Sequence, residues 1–313
     1  MARYDHFPIP EIEPTWFDTL LNSGLTYRIV YRKANLCPCQ DERGGGPDPK
    51  CPVCHGVGYT WEPVQYAEYT DTLTHVAVGT WGLDQASSAE RLTRGGVQEV
   101  LEVRDADGNT YDPATEVALE PDGRVRFVGG REPGPGVSYA VRYRAPVQGR
   151  MHAQSANKRR IWADRGEVQA GDLIASIPYT LEDLATPNPA WHAGPHDRFI
   201  LIDERYRYEQ RMQRDRKEQL TFTWVHAVLR LRAYEGGSIV EYTTPDDFVI
   251  TDGEVVWQAG RGPAPRTPYV LEYEAAPEYY VLDGLTYDRH AGGHSLPRRL
   301  MLRMWNNYPG RGR

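Results

Sequence analysis

The chain has 313 residues, 40% hydrophobic and 25% charged, which is enough apolar material for two or three domains and excludes a disordered tail. A net charge of −7 excludes a globally basic nucleic-acid binder. No apolar run approaches the about eighteen residues that span a bilayer as a helix. Residues 1–10 carry charge and two prolines without an apolar stretch, so they do not read as a secretion signal, and the expectation is a soluble chain folding in the cytoplasm. Glycine (30) and proline (24) exceed average usage, and Tyr 20, Trp 8 and Phe 6 add aromatic weight. Many turns and half-buried pleated surfaces follow, so a mainly β chain with few short helices is expected.

In chain order, an arm leads to a short helix over residues 13–24, opened by Pro14 and closed by Gly24. Residues 25–32 alternate as a strand. All four cysteines then fall within eighteen residues, as Cys37-Pro38-Cys39, eleven residues, and Cys51-Pro52-Val53-Cys54. Disulfide frameworks spread their cysteines along a secreted chain, whereas two close pairs suit a tetrahedral zinc ion held by four thiolates. Pro38 and Pro52 stiffen the two knuckles, and Gly44-Gly45-Gly46 with Pro47 and Pro49 lets the connection reverse. Gly56 and Gly58 are expected to let backbone pass close to the metal. The first pair is tighter than usual spacing, which leaves His55 as an alternative ligand and keeps a redox pair or plain reduced cysteines as competing readings. Four cysteines would close the coordination shell, so the role expected is a staple for a loop too polar to form a core. Residues 40–50 are nearly neutral, which argues against a nucleic-acid-binding ribbon.

Residues 61–81 read as strands, and a duplication follows at an offset near 130. Val100-Leu101-Glu102-Val103-Arg104 recurs as Val228-Leu229-Arg230-Leu231-Arg232, and Asp122-Gly123-Arg124-Val125-Arg126-Phe127 as Asp252-Gly253-Glu254-Val255-Val256-Trp257. Tyr139-Ala140-Val141-Arg142-Tyr143 recurs as Tyr269-Val270-Leu271-Glu272-Tyr273. Each copy alternates near period two, and its Asp-Gly marks a tight hairpin. Two small antiparallel, sandwich-like β units of about four strands each are therefore expected, each with an apolar face that needs covering.

Between the copies, residues 171–177 read as a turn and a buried strand. Pro187, Pro189 and Pro195 then interrupt the chain before a strand at residues 198–202. Residues 203–220 are highly charged, either a solvated helix or a hairpin arm entering the second copy. Residues 286–313 carry six arginines against the single acid Asp288, interleaved with Met301, Met304, Trp305 and Tyr308. Such a mixture suits a contact surface, so Arg298, Arg299, Arg303, Trp305 and Tyr308 are expected to meet a partner from a C-terminal tail. The expected division is 1–70 for arm, helix and zinc loop, 71–195 and 196–285 for the β units, and 286–313 for the tail.

No nucleophile elbow, phosphate-binding loop, zinc-protease helix or dinucleotide fingerprint occurs in the sequence. The nine histidines are scattered, and the pairs His192/His196 and His290/His294 sit beside proline or glycine rather than on a helix face. The expectation is that the chain is not an enzyme.

Trp16-Phe17-Asp18-Thr19-Leu20-Leu21-Asn22-Ser23, the Cys37…Cys54-His55-Gly56-Val57-Gly58 loop and the duplicated pattern resemble a virion structural protein of tailed bacteriophages. Asp247-Phe248…Gly253…Trp257…Tyr269…Tyr273, then Pro277-Glu278-Tyr279-Tyr280-Val281 and Leu296-Pro297-Arg298-Arg299, are similar to segments of phage neck and tail proteins. The resemblance implies a non-enzymatic subunit in the virion, made in the host cytoplasm. It would be a neck, collar or head–tail connector component, or else a tail or baseplate protein, with copies of itself and other virion proteins as partners. A zinc-ribbon nucleic-acid adaptor is the alternative of another class; nucleic acid and membrane are not expected partners. Cys51-x-x-Cys54-x-Gly56-x-Gly58 also resembles one repeat of the cysteine-rich region of DnaJ-type chaperones, a family that uses several such repeats where this chain has one.

Overall fold

Of the 313 residues, the computed structural model describes 14–22, 26–40, 46–54, 56–76, 90–120, 123–155, 172–181, 183–216, 218–284, 290–291 and 294–307. Among them the structure is mainly β, with the single α-helix Pro14–Leu21. No described helix is long and apolar enough to cross a membrane. The chain divides into two units, one from Met1–Glu62, Gly149–Ile200 and Glu278–Arg313, the other from Pro63–Gln148 and Leu201–Pro277. Each unit is discontinuous in sequence, so the boundaries at 70, 195 and 285 expected from composition are replaced by these.

The first unit is built on a closed six-stranded barrel. Its strands, in order around the wall, are Tyr27–Arg32, Gln148–Ser155, Leu173–Ile177, Arg298–Met304, Glu278–Gly284 and Arg198–Leu201. Ile29, Val30, Met151, Ile177, Phe199, Val281, Leu300 and Leu302, all on these strands, are buried. Antiparallel register sets Ala175 against Leu300 and Val281 against Leu302, so residues 298–304 are a wall strand and not part of a free tail. An Arg-rich composition conceals Leu300, Met301 and Leu302, which are buried in succession in a strand paired on both edges. The helix is tied to the segment before the Pro189–His192 turn, because Asp18 accepts the backbone N–H groups of Tyr179 and Thr180 at 3.1 and 3.0 Å.

The second unit contains both copies of the repeat. In the first, a sheet of order Tyr66–Thr74, Ser138–Pro146, Glu99–Asp105, Thr110–Tyr111 is accompanied by the hairpin Val117–Leu119/Val125–Phe127. In the second, a sheet of order Tyr206–Gln213, Pro268–Ala275, Val225–Glu235, Ser238–Tyr242 is accompanied by Phe248–Thr251/Glu254–Trp257. Residues 206–213 thus form the hairpin arm, not a helix. Strand order agrees between the copies, and so does a bulge, between Val100 and Glu102 in one and Val228 and Arg230 in the other. In the second copy Asp252 and Gly253 adopt φ of 51° and 77°, as a two-residue hairpin with left-handed twist at both positions requires. A Cβ on Gly253 would lie 2.7 Å from Thr223 Cγ2. Gly123 has φ of 84°; its partner Asp122 lies outside the described residues.

The likeness reaches half-buried polar contacts that the sequence blocks do not contain. Tyr143 Oη donates to Asp71 at 2.9 Å and Tyr273 Oη to Gln210 at 3.3 Å. Tyr139 Oη donates to Glu90, and Tyr269 Oη to Glu218. All four tyrosines are buried. Burial, with Asp71 as acceptor, pushes the Tyr143 phenol up to about 12, so it stays a donor. Beside these carboxylates stands His75 in one copy, 2.7 Å from Glu90, and Arg214 in the other, 4.8 Å above the Trp257 ring. Phe127 and Trp257 meet Tyr139 and Tyr269 edge-on at 5.2 and 5.5 Å, packing hairpin on sheet and giving each copy two layers.

One buried contact offers a direct test of the barrel. Glu278 is 0% exposed and pairs with Arg198, whose guanidinium lies 4.0 Å from the Trp305 ring centroid. Removing one partner leaves a charge in an apolar wall, so Glu278→Ala should cost about 3–5 kcal/mol, read as a shift in the chemical denaturation midpoint.

Candidate metal centre

The cysteine loop is closed by a short ladder, Ala34–Leu36 against Tyr59–Trp61, with Leu36 opposite Tyr59. The Cys37 N–H then bonds the Gly58 carbonyl at 2.9 Å. The first pair sits in a tight turn, Gln40 N–H to Cys37 C=O at 3.0 Å, whereas Cys51 ends one turn, through its N–H to the Asp48 carbonyl, and Cys54 opens the next, through its carbonyl to Val57 N–H, both at 3.0 Å. The expected role of the two glycines is revised. Gly56 and Gly58 take φ of 81° and 86°. A Cβ on them would lie 3.1 Å from Pro49 Cα and 2.2 Å from Gln40 Nε2. Their missing side chains make room for Pro49 and Gln40, whose Nε2 donates to the Gly58 carbonyl at 2.8 Å.

These turns bring Cys37, Cys39, Cys51 and Cys54 together, with every sulfur within 4.8 Å of the others. Cys37 and Cys51 are 3.7 Å apart, Cys39 and Cys54 3.4 Å. No disulfide is formed, and the close first pair delivers both of its sulfurs. His55 lies outside the described residues. Cys37, Cys51 and Cys54 are buried, while Leu36 and Val53 beside them are 64% and 62% exposed. The sulfurs are therefore this loop's core. Backbone N–H groups of Cys54 and Val53 point at the Cys51 sulfur and hold that thiol down to about 7, while burial pushes Cys39 up to about 12. N–H donors around sulfur favour the thiolate, the form that binds metal. Four cysteines this close can hold one metal ion and would leave no open position for a substrate.

Asp197, which sequence reasoning missed, anchors the loop to its unit. Its carboxylate accepts Ala34 N–H at 2.7 Å, Tyr31 Oη at 2.8 Å and Gly194 N–H at 2.7 Å. Tyr59 stacks on His196 at 4.1 Å, and Trp61 Nε1 donates to the His196 carbonyl. Nothing in the local sequence marks Asp197 as the anchor, because Tyr31 and Ala34 lie 166 and 163 residues upstream.

The residues expected to meet a partner are placed differently. Arg298 donates to the Trp191 carbonyl at 2.8 Å, Arg303 grips Asp172 at 3.0 and 2.9 Å, and Trp305 is buried against Trp61 at 4.8 Å. These three belong to the interior contacts of their own unit. Arg299 is exposed on the same strand, and Tyr308 lies outside the described residues. Of the histidine pairs, His290 and His294 fall on a two-stranded ladder, opposite Ser295 and Ala291.

No protein-family model matches the chain, and no curated protein matches it. Protein purified without chelator is expected to carry about one metal ion per chain, the capacity of a four-thiolate site. Cys51→Ser should bring that ratio close to zero and lower the thermal midpoint, as read by elemental analysis and calorimetry. Unchanged metal content in the variant would remove these cysteines from the site.

Proposed function

We propose that this chain is a structural, non-enzymatic subunit of a tailed-bacteriophage virion. Its position would be the neck, as a collar or head–tail connector component, with zinc in the cysteine site. The reading rests first on the resemblance carried by the cysteine loop and the duplicated pattern. The observation that carries it further is how the buried carboxylates are used. Asp105 closes its own turn through Asn109 and Tyr111, and Asp18, Asp172, Asp197, Glu272 and Glu278 each tie strand, turn or helix segments together. Acids spent on holding backbone in place suit a scaffold whose surfaces do the work, and a twice-used β module multiplies those surfaces.

Zinc is supported by donor chemistry and size. Four soft sulfurs suit it, and a tetrahedron with zinc–sulfur bonds of about 2.3 Å has edges of about 3.8 Å, against the 3.4 and 3.7 Å separations found. The ion would hold a loop whose only other core is its own cysteines, so that it keeps one shape in an assembly.

Particles give the test. Antibody against this chain should label the neck of intact virions, and quantitative mass spectrometry of purified particles should find it in a fixed multiple copy number, with zinc in the metal analysis. Particles that lack the chain would end the virion reading. Tight DNA binding that collapses as salt rises would favour the nucleic-acid adaptor instead.

A further inference from the structure

The two copies share a fold and carry opposite charges on the same ladder positions of their outward sheet faces. In the first copy the central strand presents Arg142 and Arg144, flanked by Glu68 on one neighbour and Glu102 on the other. Register sets Glu68 opposite Arg144 and Glu102 opposite Arg142. In the second copy the corresponding strand presents Glu272 and Glu274, flanked by Arg207, opposite Glu274, and Arg230, opposite Glu272. Four equivalent positions, 68/207, 102/230, 142/272 and 144/274, are thus inverted in sign. Glu99 has the neutral counterpart Ala227, Thr70 has the acidic counterpart Glu209, and Arg104 matches Arg232 in sign.

Both faces are open to solvent where it matters. The side chains of Arg142 and Arg144 are 46% and 41% exposed, and those of Arg207 and Arg230 66% and 51%. Glu272 is recessed at 12%. One face therefore carries basic side chains level with their acidic borders, and the other a recessed Glu272 between raised basic borders. Within each copy the charges already pair, Arg142 with Glu68 and Glu102 at 3.1 and 3.2 Å and Arg207 with Glu272, which keeps the stripes in order before any contact. Laying central strand on central strand puts Arg142 and Arg144 against Glu272 and Glu274 whichever way the strands run, and brings Glu99 against Arg207 or Arg230. Glu209 then meets Glu102 or Glu68, so the opposite charges are those of the centre.

We propose that these faces are mates in different molecules: the arginine-centred face of the first copy in one protein receives the glutamate-centred face of the second copy in the next. The partner is a second copy of this chain, and the contact is head-to-tail, because each molecule brings one face of each kind. Such an interface repeats into a ring where the rotation closes and into a filament where it does not. Like faces are excluded, since Arg142 would meet Arg142 and Glu274 would meet Glu274. The inference deepens the assembly reading above and rests on it for its setting, but not for its evidence.

The test is sedimentation velocity on the full chain at micromolar concentration. Wild type should self-associate, more weakly as salt screens the stripes. Arg142→Glu with Arg144→Glu blocks one face, Arg207→Glu with Arg230→Glu the other. Each double variant alone should associate at least about tenfold more weakly, the scale of a specificity set by charge. Mixed, they should form a closed one-to-one complex through the two intact faces. Unchanged far-ultraviolet dichroism and melting establish that both are folded; if a reversal unfolds the chain, the corresponding Arg→Gln pairs carry the same test. A monomeric wild type at low salt, variants that associate like wild type, or a mixture that stays monomeric would each overturn the proposal. A chain found in particles but monomeric in solution would sink the pairing and leave the virion reading, whereas a self-associating chain absent from particles would do the reverse.

Discussion

Closure of the six-stranded barrel is the constraint from which the rest of the chain's organisation follows. A strand exposes hydrogen-bonding groups along both edges, and a sheet escapes that liability fully only by closing on itself. Here the strand Arg298–Met304 stands between Leu173–Ile177 and Glu278–Gly284, so segments from the middle and the end of the sequence must meet for the wall to close. The cysteine loop and both β copies enter as excursions between wall strands. The cysteine loop and the first β copy lie between Tyr27–Arg32 and Gln148–Ser155, and the second copy between Arg198–Leu201 and Glu278–Gly284. The buried Arg198–Glu278 pair sits where the second excursion leaves and returns. A charge pair there fixes which strand faces which, since either charge without the other is costly in that setting.

The repeated module shows which parts of a small β unit are needed and which are free to vary. Both copies keep a tyrosine that ends on a half-buried carboxylate, a second tyrosine that ends on the first strand, and a backbone bond from Leu92 or Leu220 to the hairpin glycine. The acceptor for the second tyrosine is a carboxylate in one copy and an amide in the other, Asp71 and Gln210. Both residues also accept a backbone N–H, from Thr93 and Thr221 at 2.7 and 2.8 Å. What persists is a half-buried acceptor shared by a tyrosine hydroxyl and a backbone N–H. Its charge is free to change because satisfaction of the polar group dominates the cost.

Legibility of the chain followed sequence distance. The cysteine pairs, the Asp252-Gly253 turn and the β alternation of the copies were readable because each is decided within a few residues. The wall strand 298–304 was misread as tail, because its arginines are neutralised by residues no local window contains: Asp172 lies 131 positions before Arg303. The same holds for Asp197, whose partners Tyr31 and Ala34 come from the other end of their unit. Domain limits drawn from composition failed for a related reason. Composition changes where the chain passes from one excursion to another, whereas the units are defined by strands that close a sheet across those changes. The glycines of the cysteine loop were flagged correctly as special. Their purpose, clearance for Pro49 and Gln40, depends on neighbours that only the folded loop supplies.

Duplication within one chain has a consequence for recognition that a single module could not achieve. A lone module with an arginine-centred face repels a second such face, and a lone module with a glutamate-centred face does the same, so neither could build an assembly of identical chains through that surface. Two covalently joined copies with inverted stripes remove the difficulty, because every molecule carries both a face and its complement. The discrimination comes as much from what is rejected as from what is attracted: like faces bring arginine against arginine, or glutamate against glutamate, along their central strands, and specificity depends on that difference. Inversion at only four ladder positions leaves the interior of each copy untouched, since Val141, Tyr143, Leu271 and Tyr273 point to the opposite side of their sheets and are buried there. Period-two alternation thus separates the two tasks, with one face of each strand conserving the fold while the other is free to change sign.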